Sequence, residues 1–107
     1  MILNTARVTV KPEKRKEFVL TVKQLLEPIK SAEGCRACIL YVDVADENSS
    51  FLISEWETET DLNKHLRSND FAILRGAITV LGIQSDEFRA LIYSNCRQVL
   101  TKENTSG

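Results

Sequence analysis

Residues 36–57 read RACILYVDVADENSSFLISEWE, and this stretch decides the fold. Two segments rich in apolar and β-branched residues, Arg36–Val44 and Phe51–Glu57, flank the polar run Asp46–Ser50. Asp, Asn and Ser favour turns, whereas β-branched and aromatic residues favour strands, so the pattern predicts a β-hairpin. The hairpin lies in the middle of the chain, and the segments on either side of it therefore determine the architecture.

A strand and a long helix precede the hairpin. Apolar residues alternate with others from Ile2 to Val10, which predicts a strand with one mainly apolar face. Lys11-Pro12-Glu13 is typical of a helix start, and we expect Gly34 to close the helix that follows. Apolar residues recur at helical spacing between them: Phe18, Val19, Val22, Leu25, Leu26, Ile29 and Ala32.

Two short helices and a strand follow the hairpin. Thr58 or Thr60 caps a predicted helix that ends near Arg67, and Ser68-Asn69-Asp70 begins another that Gly82 closes. Asp86–Ser94 alternates and predicts the last strand. The order βαββαβ, with its second helical stretch broken in two, is typical of a ferredoxin-like α+β fold, a four-stranded antiparallel sheet with all helices on one face.

The other face of that sheet is predicted to be apolar. The alternation assigns to it Leu3, Phe51, Ile53, Leu91 and Tyr93. Because so much apolar surface is rarely left in water, we expect a homodimer whose sheets stack face to face. Residues 1–95 form the expected domain. The tail, 96–107, has no place in the sheet, and we expect its first part to cross to the partner subunit.

Composition excludes several classes of protein. The chain has 107 residues, which is the length of one domain. Fourteen Lys and Arg stand against fifteen Asp and Glu, so the chain lacks the basic excess typical of nucleic-acid or anionic-membrane binding. No apolar run approaches the roughly 20 residues of a membrane span. The first residues lack the pattern of a secretory signal, so we expect a cytoplasmic protein.

The chain contains three cysteines, and two of them form the motif Cys35-Arg36-Ala37-Cys38. A redox role would be favoured by a helix N-terminus next to the first thiol, and a zinc site by a second pair of ligands. The sequence predicts neither, because Gly34 follows a helix end and only Cys96 and one histidine remain. We therefore expect ordinary reduced thiols and no bound metal.

The stretch around Trp56 is similar to one known family. Glu55-Trp56-Glu57-Thr58, followed by His65, Ser68 and Phe71, resembles the antibiotic biosynthesis monooxygenase family, as do Lys11-Pro12-Glu13 and the joint at Glu33-Gly34-Cys35. The resemblance covers about residues 1–95. It implies a dimeric α+β barrel with a small-molecule pocket between helices and sheet. Several members oxidise phenols or quinols with O₂ and without a cofactor, which implies that this chain needs none.

Another branch of that superfamily degrades haem, and its motif can be compared by position. It uses an Asn on the first strand, a Trp in the second helix and an iron-binding His on the following helix. The aligned positions here are Ala6, His65 and Arg75. None of them matches, so the resemblance does not imply haem degradation.

Six residues are candidates for the site. His65 is the only histidine, and an imidazole with an ordinary pKa near 6.5 suits proton transfer at neutral pH, although it could equally be a half-buried structural residue. Arg75 could hold an anionic oxygen or remain solvated, and Asn4 could bond to backbone or to a ligand. The other candidates would line a pocket: Trp56, Phe71 and Leu74. Trp56 could instead be a core or dimer contact.

Two functions of different classes remain open. The first is a cofactor-independent monooxygenase that acts on an electron-rich quinol, phenol or anthrone-like molecule, with His65 as the catalytic base. The second is a non-catalytic dimeric protein that binds a small molecule or acts in stress responses, with an isomerase as a weaker variant. Polar groups converging on His65 would favour the enzyme, and a pocket filled by its own side chains would favour the binding protein.

Overall fold

The computed structural model describes residues 1–91, with positions 84 and 87–91 described by their backbone alone. Seven elements follow one another, with a 3₁₀ turn at Pro12–Lys14 before the first helix. They are β1 (Ile2–Val10), α1 (Arg15–Lys30), β2 (Cys35–Val42), β3 (Ser49–Trp56), α2 (Glu59–Leu66), α3 (Asn69–Leu81) and β4 (Gly82–Leu91).

The sheet has the ferredoxin-like order that the sequence predicts. Its strands lie in the order β2-β3-β1-β4, and every neighbouring pair is antiparallel. On β1 the even-numbered positions face the helices, and Ile2, Ala6, Val8 and Val10 are buried there. Phe18 and Val22 of α1 and Leu74 and Ile78 of α3 are in the same core. The helices thus cover one face of the sheet, and the fold class is confirmed.

The first helix ends earlier than its apolar spacing predicts. Ser31, not Gly34, is the C-cap residue, and Ala32 closes the last turn through a bond from its N–H to the carbonyl of Ile29. Gly34 instead lies in the following turn with a φ of 78°, a left-handed conformation that favours glycine. Its carbonyl accepts a 2.8 Å hydrogen bond from the N–H of Glu57, so this turn ties the start of β2 to the end of β3.

The hairpin turn and the last strand also differ from their predicted bounds. The connection between the strands, residues 43–48, lies earlier than predicted. Asp43 Oδ1 accepts a bond from the N–H of Ala45, and Asp46 Oδ1 accepts one from the N–H of Asn48. β4 begins at Gly82 rather than Asp86. A Cβ at Gly82 would lie 2.6 Å from the carbonyl oxygen of Ile78, so glycine allows the chain to pass directly from α3 into a strand.

The face of the sheet away from the helices carries an apolar surface. Leu3, Phe51 and Ile53 are half-buried there, and β2 adds Ile39 and Tyr41, which are 42% and 49% exposed. The backbone pairing aligns Leu91 with Ile2, and the side chain of Leu91 lies outside the described residues. Tyr93 and the tail lie outside the described residues.

Replacing Gly34 by alanine tests its role in this turn. A Cβ there would collide with the side chain of Asp61 and would also have to adopt a left-handed backbone. We expect Gly34→Ala to lower the free energy of unfolding by about 1–2 kcal/mol, measured by urea denaturation. Gly76 in α3 is the matched control, because a Cβ there meets nothing within 4 Å. Gly76→Ala should raise the same quantity by about 0.5–1 kcal/mol, and equal effects of both variants would refute the account.

Candidate functional site

Trp56 anchors the centre of the candidate site. It is the last residue of β3, faces the helices and is 0% exposed. Its indole N–H donates a 2.9 Å hydrogen bond to the hydroxyl of Ser54, and that hydroxyl lies 3.4 Å from the backbone carbonyl oxygen of Asn4, to which it donates. The indole is therefore fixed to two neighbouring strands, since its only polar atom is paired.

His65 packs directly against that indole. The two rings are stacked with their centroids 4.6 Å apart and an interplanar angle of 22°. Phe71 meets the imidazole on another side, edge-on, at 5.2 Å and 70°. Only 5% of His65 is exposed, so its ring lies inside an aromatic cluster formed by Trp56, His65 and Phe71.

The joint between α2 and α3 positions two members of this aromatic cluster. Thr58 caps α2 by accepting a bond from the N–H of Asp61, as the sequence predicts. Ser68 both donates from its hydroxyl to the carbonyl of His65, at 2.6 Å, and accepts from the N–H of Phe71, at 3.2 Å. One side chain thus ends α2, begins α3 and holds His65 and Phe71 on either side of the same turn.

Burial lowers the pKa of His65 below its ordinary value of 6.5, because desolvation penalises the charged imidazolium. The negative charge of Asp70 acts in the opposite direction and is the smaller effect. The imidazole is therefore neutral at pH 7 and has a lone pair that can accept a proton. A neutral imidazole in an apolar surrounding is the form that a general base requires.

The structure brings together some of the predicted site residues and separates others. Trp56, His65 and Phe71 are in contact, and the guanidinium of the exposed Arg75 lies 4.9 Å from the Phe71 ring centroid. Leu74 is buried in the main core. Asn4 lies opposite Ser54 in the register, half-buried on the helix-facing side of β1.

Sequence reasoning missed Ser54. It is a buried hydroxyl on the helix-facing side of β3, two positions before Trp56, and it connects the indole to β1. The signal was available, since a serine among the apolar positions of a half-buried strand needs a hydrogen-bond partner. What the sequence could not show is that the partner is the indole N–H.

The part of the chain that the structure describes carries no metal-binding cluster and no membrane-spanning helix. Within residues 1–91, as far as side chains are described, no group of three or more His, Cys, Asp or Glu is placed to hold a metal. No helix in the described part is long and apolar enough to cross a membrane. A surface depression of about 270 Å³ lies on the exposed side of α1 between Arg15 and Lys23, and the candidate residues are not among those that line it.

A comparison with known families identifies the class of protein to which this fold belongs. The model of the antibiotic biosynthesis monooxygenase family matches residues 1–90. That match spans most of the chain, and the chain belongs to this family. The resemblance in the Trp56–Phe71 stretch is thereby confirmed.

Individual relatives show how far the similarity extends. A Bacillus subtilis protein, YcnE, named as a candidate monooxygenase, is 31% identical over 71 residues, which are 66% of this chain and 75% of that protein. A conserved protein of Methanosarcina mazei has a crystal structure that superposes with a TM-score of 0.81 at 26% identity, covering 86% of this chain and 92% of the other.

A third relative is longer. An uncharacterised protein of Synechocystis is 29% identical over 70 residues, which are 65% of this chain. The match spans 48% of the Synechocystis protein, so this chain corresponds to about half of its length.

The lowered pKa of His65 predicts how stability changes with pH. The folded-state pKa lies below the unfolded value of 6.5, so between these two values the unfolded chain binds more protons. The free energy of unfolding should therefore fall as the pH decreases from 6.5 through the folded-state pKa. Urea denaturation at several pH values from neutral down to about 5.5 measures the slope of the free energy of unfolding against pH. This range lies above the one where most carboxylates titrate.

His65→Phe is the matched control for that slope. It keeps an aromatic ring against Trp56 but removes the titrating group, and His65 is the only histidine of the chain. The variant should lose most of the slope above about pH 5.5. An identical slope in both proteins would show that His65 is not held in its neutral form by folding.

Proposed function

We propose that this protein is a cofactor-independent monooxygenase that oxidises an electron-rich aromatic molecule, a quinol, phenol or anthrone-like compound, with O₂. The observation that supports it most is a neutral, buried His65 stacked on Trp56 and contacted by Phe71. Membership of the antibiotic biosynthesis monooxygenase family supports the reaction class. The B. subtilis relative named as a candidate monooxygenase supports it as well.

In this proposal His65 is the catalytic base. The neutral imidazole takes a proton from the substrate, from the methylene carbon of an anthrone or the hydroxyl of a phenol or quinol. The resulting anion is electron-rich and can transfer an electron to O₂. An apolar surrounding favours this step because water, which would stabilise the anion and protonate it again, is excluded.

The atoms and electrons of the proposed reaction balance without a further reductant. For an anthrone, the superoxide formed by electron transfer recombines with the carbon radical to give a peroxide anion. The imidazolium of His65 returns its proton to that anion. The carbon then loses its second hydrogen as the O–O bond breaks, which gives a carbonyl and one water. The methylene gives up four electrons, and O₂ accepts four.

The remaining candidates have positioning roles in this proposal. Phe71 and Trp56 provide apolar walls next to His65, and Leu74 follows Phe71 by one turn of α3. Arg75, exposed above the Phe71 ring, can hold an anionic oxygen of the substrate at the entrance. Asn4 lies beyond Ser54 on β1 and can offer a hydrogen bond from the floor of the site.

One observation favours the second candidate, a non-catalytic binding protein. His65 is 5% exposed, and its ring is covered by Trp56 and Phe71. A substrate must therefore displace Phe71 to reach the imidazole. If Phe71 does not move, the site is filled by the protein's own residues, and His65 cannot act on a substrate.

Oxygen consumption distinguishes the two functions. We expect metal-free protein to consume O₂ with at least one member of a panel of quinols, phenols and anthrones. His65→Gln should lower the rate by roughly 10²-fold or more, the scale typical of a lost general base. Lys64→Gln is the control, since Lys64 is the exposed neighbour of His65 and pairs with Glu33 at 3.3 Å.

The rate should also depend on pH in a defined direction. It should fall as the pH decreases through the folded-state pKa of His65, which lies below 6.5, and should not change with His65 protonation above that value. Equal rates for His65→Gln and the unsubstituted protein would remove His65 from the mechanism. Binding of a panel member without O₂ uptake would favour the non-catalytic function.

We further propose that the protein is a homodimer whose sheets stack face to face. The support is the apolar surface opposite the helices, formed by Leu3, Ile39, Tyr41, Phe51 and Ile53. A second copy would bury this surface, whereas a monomer would leave Ile39 and Tyr41 nearly half exposed. The small core of a chain this long would gain stability from the added contact.

Sedimentation at micromolar concentration tests the dimer. Ile53→Asp places a charge in the middle of the sheet surface and should give a monomer. Ile73→Asp is the control, because Ile73 is 55% exposed on α3, in the helical layer on the opposite side of the sheet. A monomeric unsubstituted protein, or an Ile53→Asp dimer as tight as the unsubstituted one, would contradict the stacking.

A further inference from the structure

The two thiols of the Cys35–Cys38 motif lie on the same face of β2. In a regular strand, residues three apart point to opposite faces. Here the register with β3 shifts between Cys35 and Ala37, so that Cys35 is opposite Trp56 and Cys38 is opposite Ser54. Arg36 is the additional residue of a β-bulge. Both cysteines are consequently aligned with the helix-facing residues of β3.

The bulge also aligns the two cysteines with neighbouring helix-facing positions of β3. Their partners, Trp56 and Ser54, are two residues apart on one strand, a separation of about 6.7 Å. Protein disulfides usually join Cα atoms separated by up to about 6.8 Å. Cys35 and Cys38 therefore share one face of β2, and the β3 positions with which they align are no further apart than the Cα atoms of a disulfide. In an unbulged strand the two side chains would point to opposite faces.

The two thiols differ in accessibility. Cys35 is half-buried and donates from Sγ to the carbonyl of Ala37 at 3.5 Å, whereas Cys38 is 1% exposed. Burial raises the pKa of both thiols, that of Cys38 to about 12, and the charge of Cys35 contributes to the shift of Cys38. Both thiols are free.

We propose that Cys35 and Cys38 form a reversible dithiol–disulfide pair that exchanges with low-molecular-weight disulfides. Cys35, as the accessible thiol, loses its proton and attacks one sulfur of the small disulfide. One small thiol leaves, and a mixed disulfide remains on Cys35. The thiolate of Cys38 then attacks Cys35 Sγ, forms the intramolecular disulfide and releases the second small thiol. The two cysteines are oxidised by two electrons, and the small disulfide is reduced by two.

The pair lies next to the aromatic cluster. Cys35 is opposite Trp56, and Cys38 is opposite the Ser54 whose hydroxyl accepts the indole N–H bond. Closing the disulfide restrains β2 at these two positions and changes the surroundings of the indole. Trp56 is the only tryptophan of the chain, so its fluorescence reports the redox state of the pair. The exchange does not depend on the proposed oxygen chemistry.

The test uses the full chain with Cys96→Ser, which leaves only the two cysteines of interest. Incubation with excess glutathione disulfide should remove both titratable thiols and lower the mass by two hydrogen atoms, with no glutathione retained. Arg36 lies between the cysteines, so trypsin should release residues 31–36 joined to residues 37–64 by the disulfide alone. Tryptophan emission should change in parallel, and dithiothreitol should reverse every effect.

Two variants assign the order of steps. Cys38→Ser should retain one glutathione on Cys35, because the resolving thiol is missing. Cys35→Ser should leave Cys38 unmodified, because Cys38 is buried. Retention of both thiols in the Cys96→Ser protein, a stable glutathione adduct on it, or a disulfide between two chains would each overturn the proposal, whether or not the variants fold.

Discussion

The imidazole of His65 lies 4.6 Å from the indole of Trp56, and this stacking joins the sheet to the pair of short helices. The indole cannot turn away, because its N–H is bonded to Ser54 inside the fold. The imidazole is placed by the end of α2, where the hydroxyl of Ser68 donates a hydrogen bond to the backbone carbonyl of His65. The same contact that completes the core also removes water from the histidine, which lowers its pKa and keeps it neutral. Packing and chemistry therefore depend on one pair of rings.

Much of the fold could be predicted from the sequence, because local signals and tertiary structure agree. The alternation in Ile2–Val10, the polar hairpin turn and the caps at Thr58 and Ser68 each correspond to an observed element. The errors occur where contacts between distant segments of the chain decide. The start of β4 at Gly82 depends on its pairing with Val10 of β1, and the role of Gly34 depends on its approach to Asp61. Neither is encoded in the spacing of nearby residues.

The candidate site was partly predictable for a different reason. Trp56, His65 and Phe71 were indicated by family resemblance and helical spacing, and the structure places them in contact. Ser54 was missed, because its partner belongs to the same strand and is recognised only once the indole is placed. The position of the Cys35–Cys38 motif after a helix end does not reveal how its thiols are oriented. A single additional residue, Arg36, places both cysteines on one face of β2.

NMR of the His65 ring is the most direct measurement of the central claim, since the chain has one histidine and its signals need no separation from others. Stacking on Trp56 should shift the imidazole protons upfield, and titration should give a pKa below 6.5. In Trp56→Leu the upfield shift should disappear while the protein remains folded enough to be titrated. Ring signals at ordinary positions together with a pKa at or above 6.5 would contradict a neutral histidine held in an aromatic cluster.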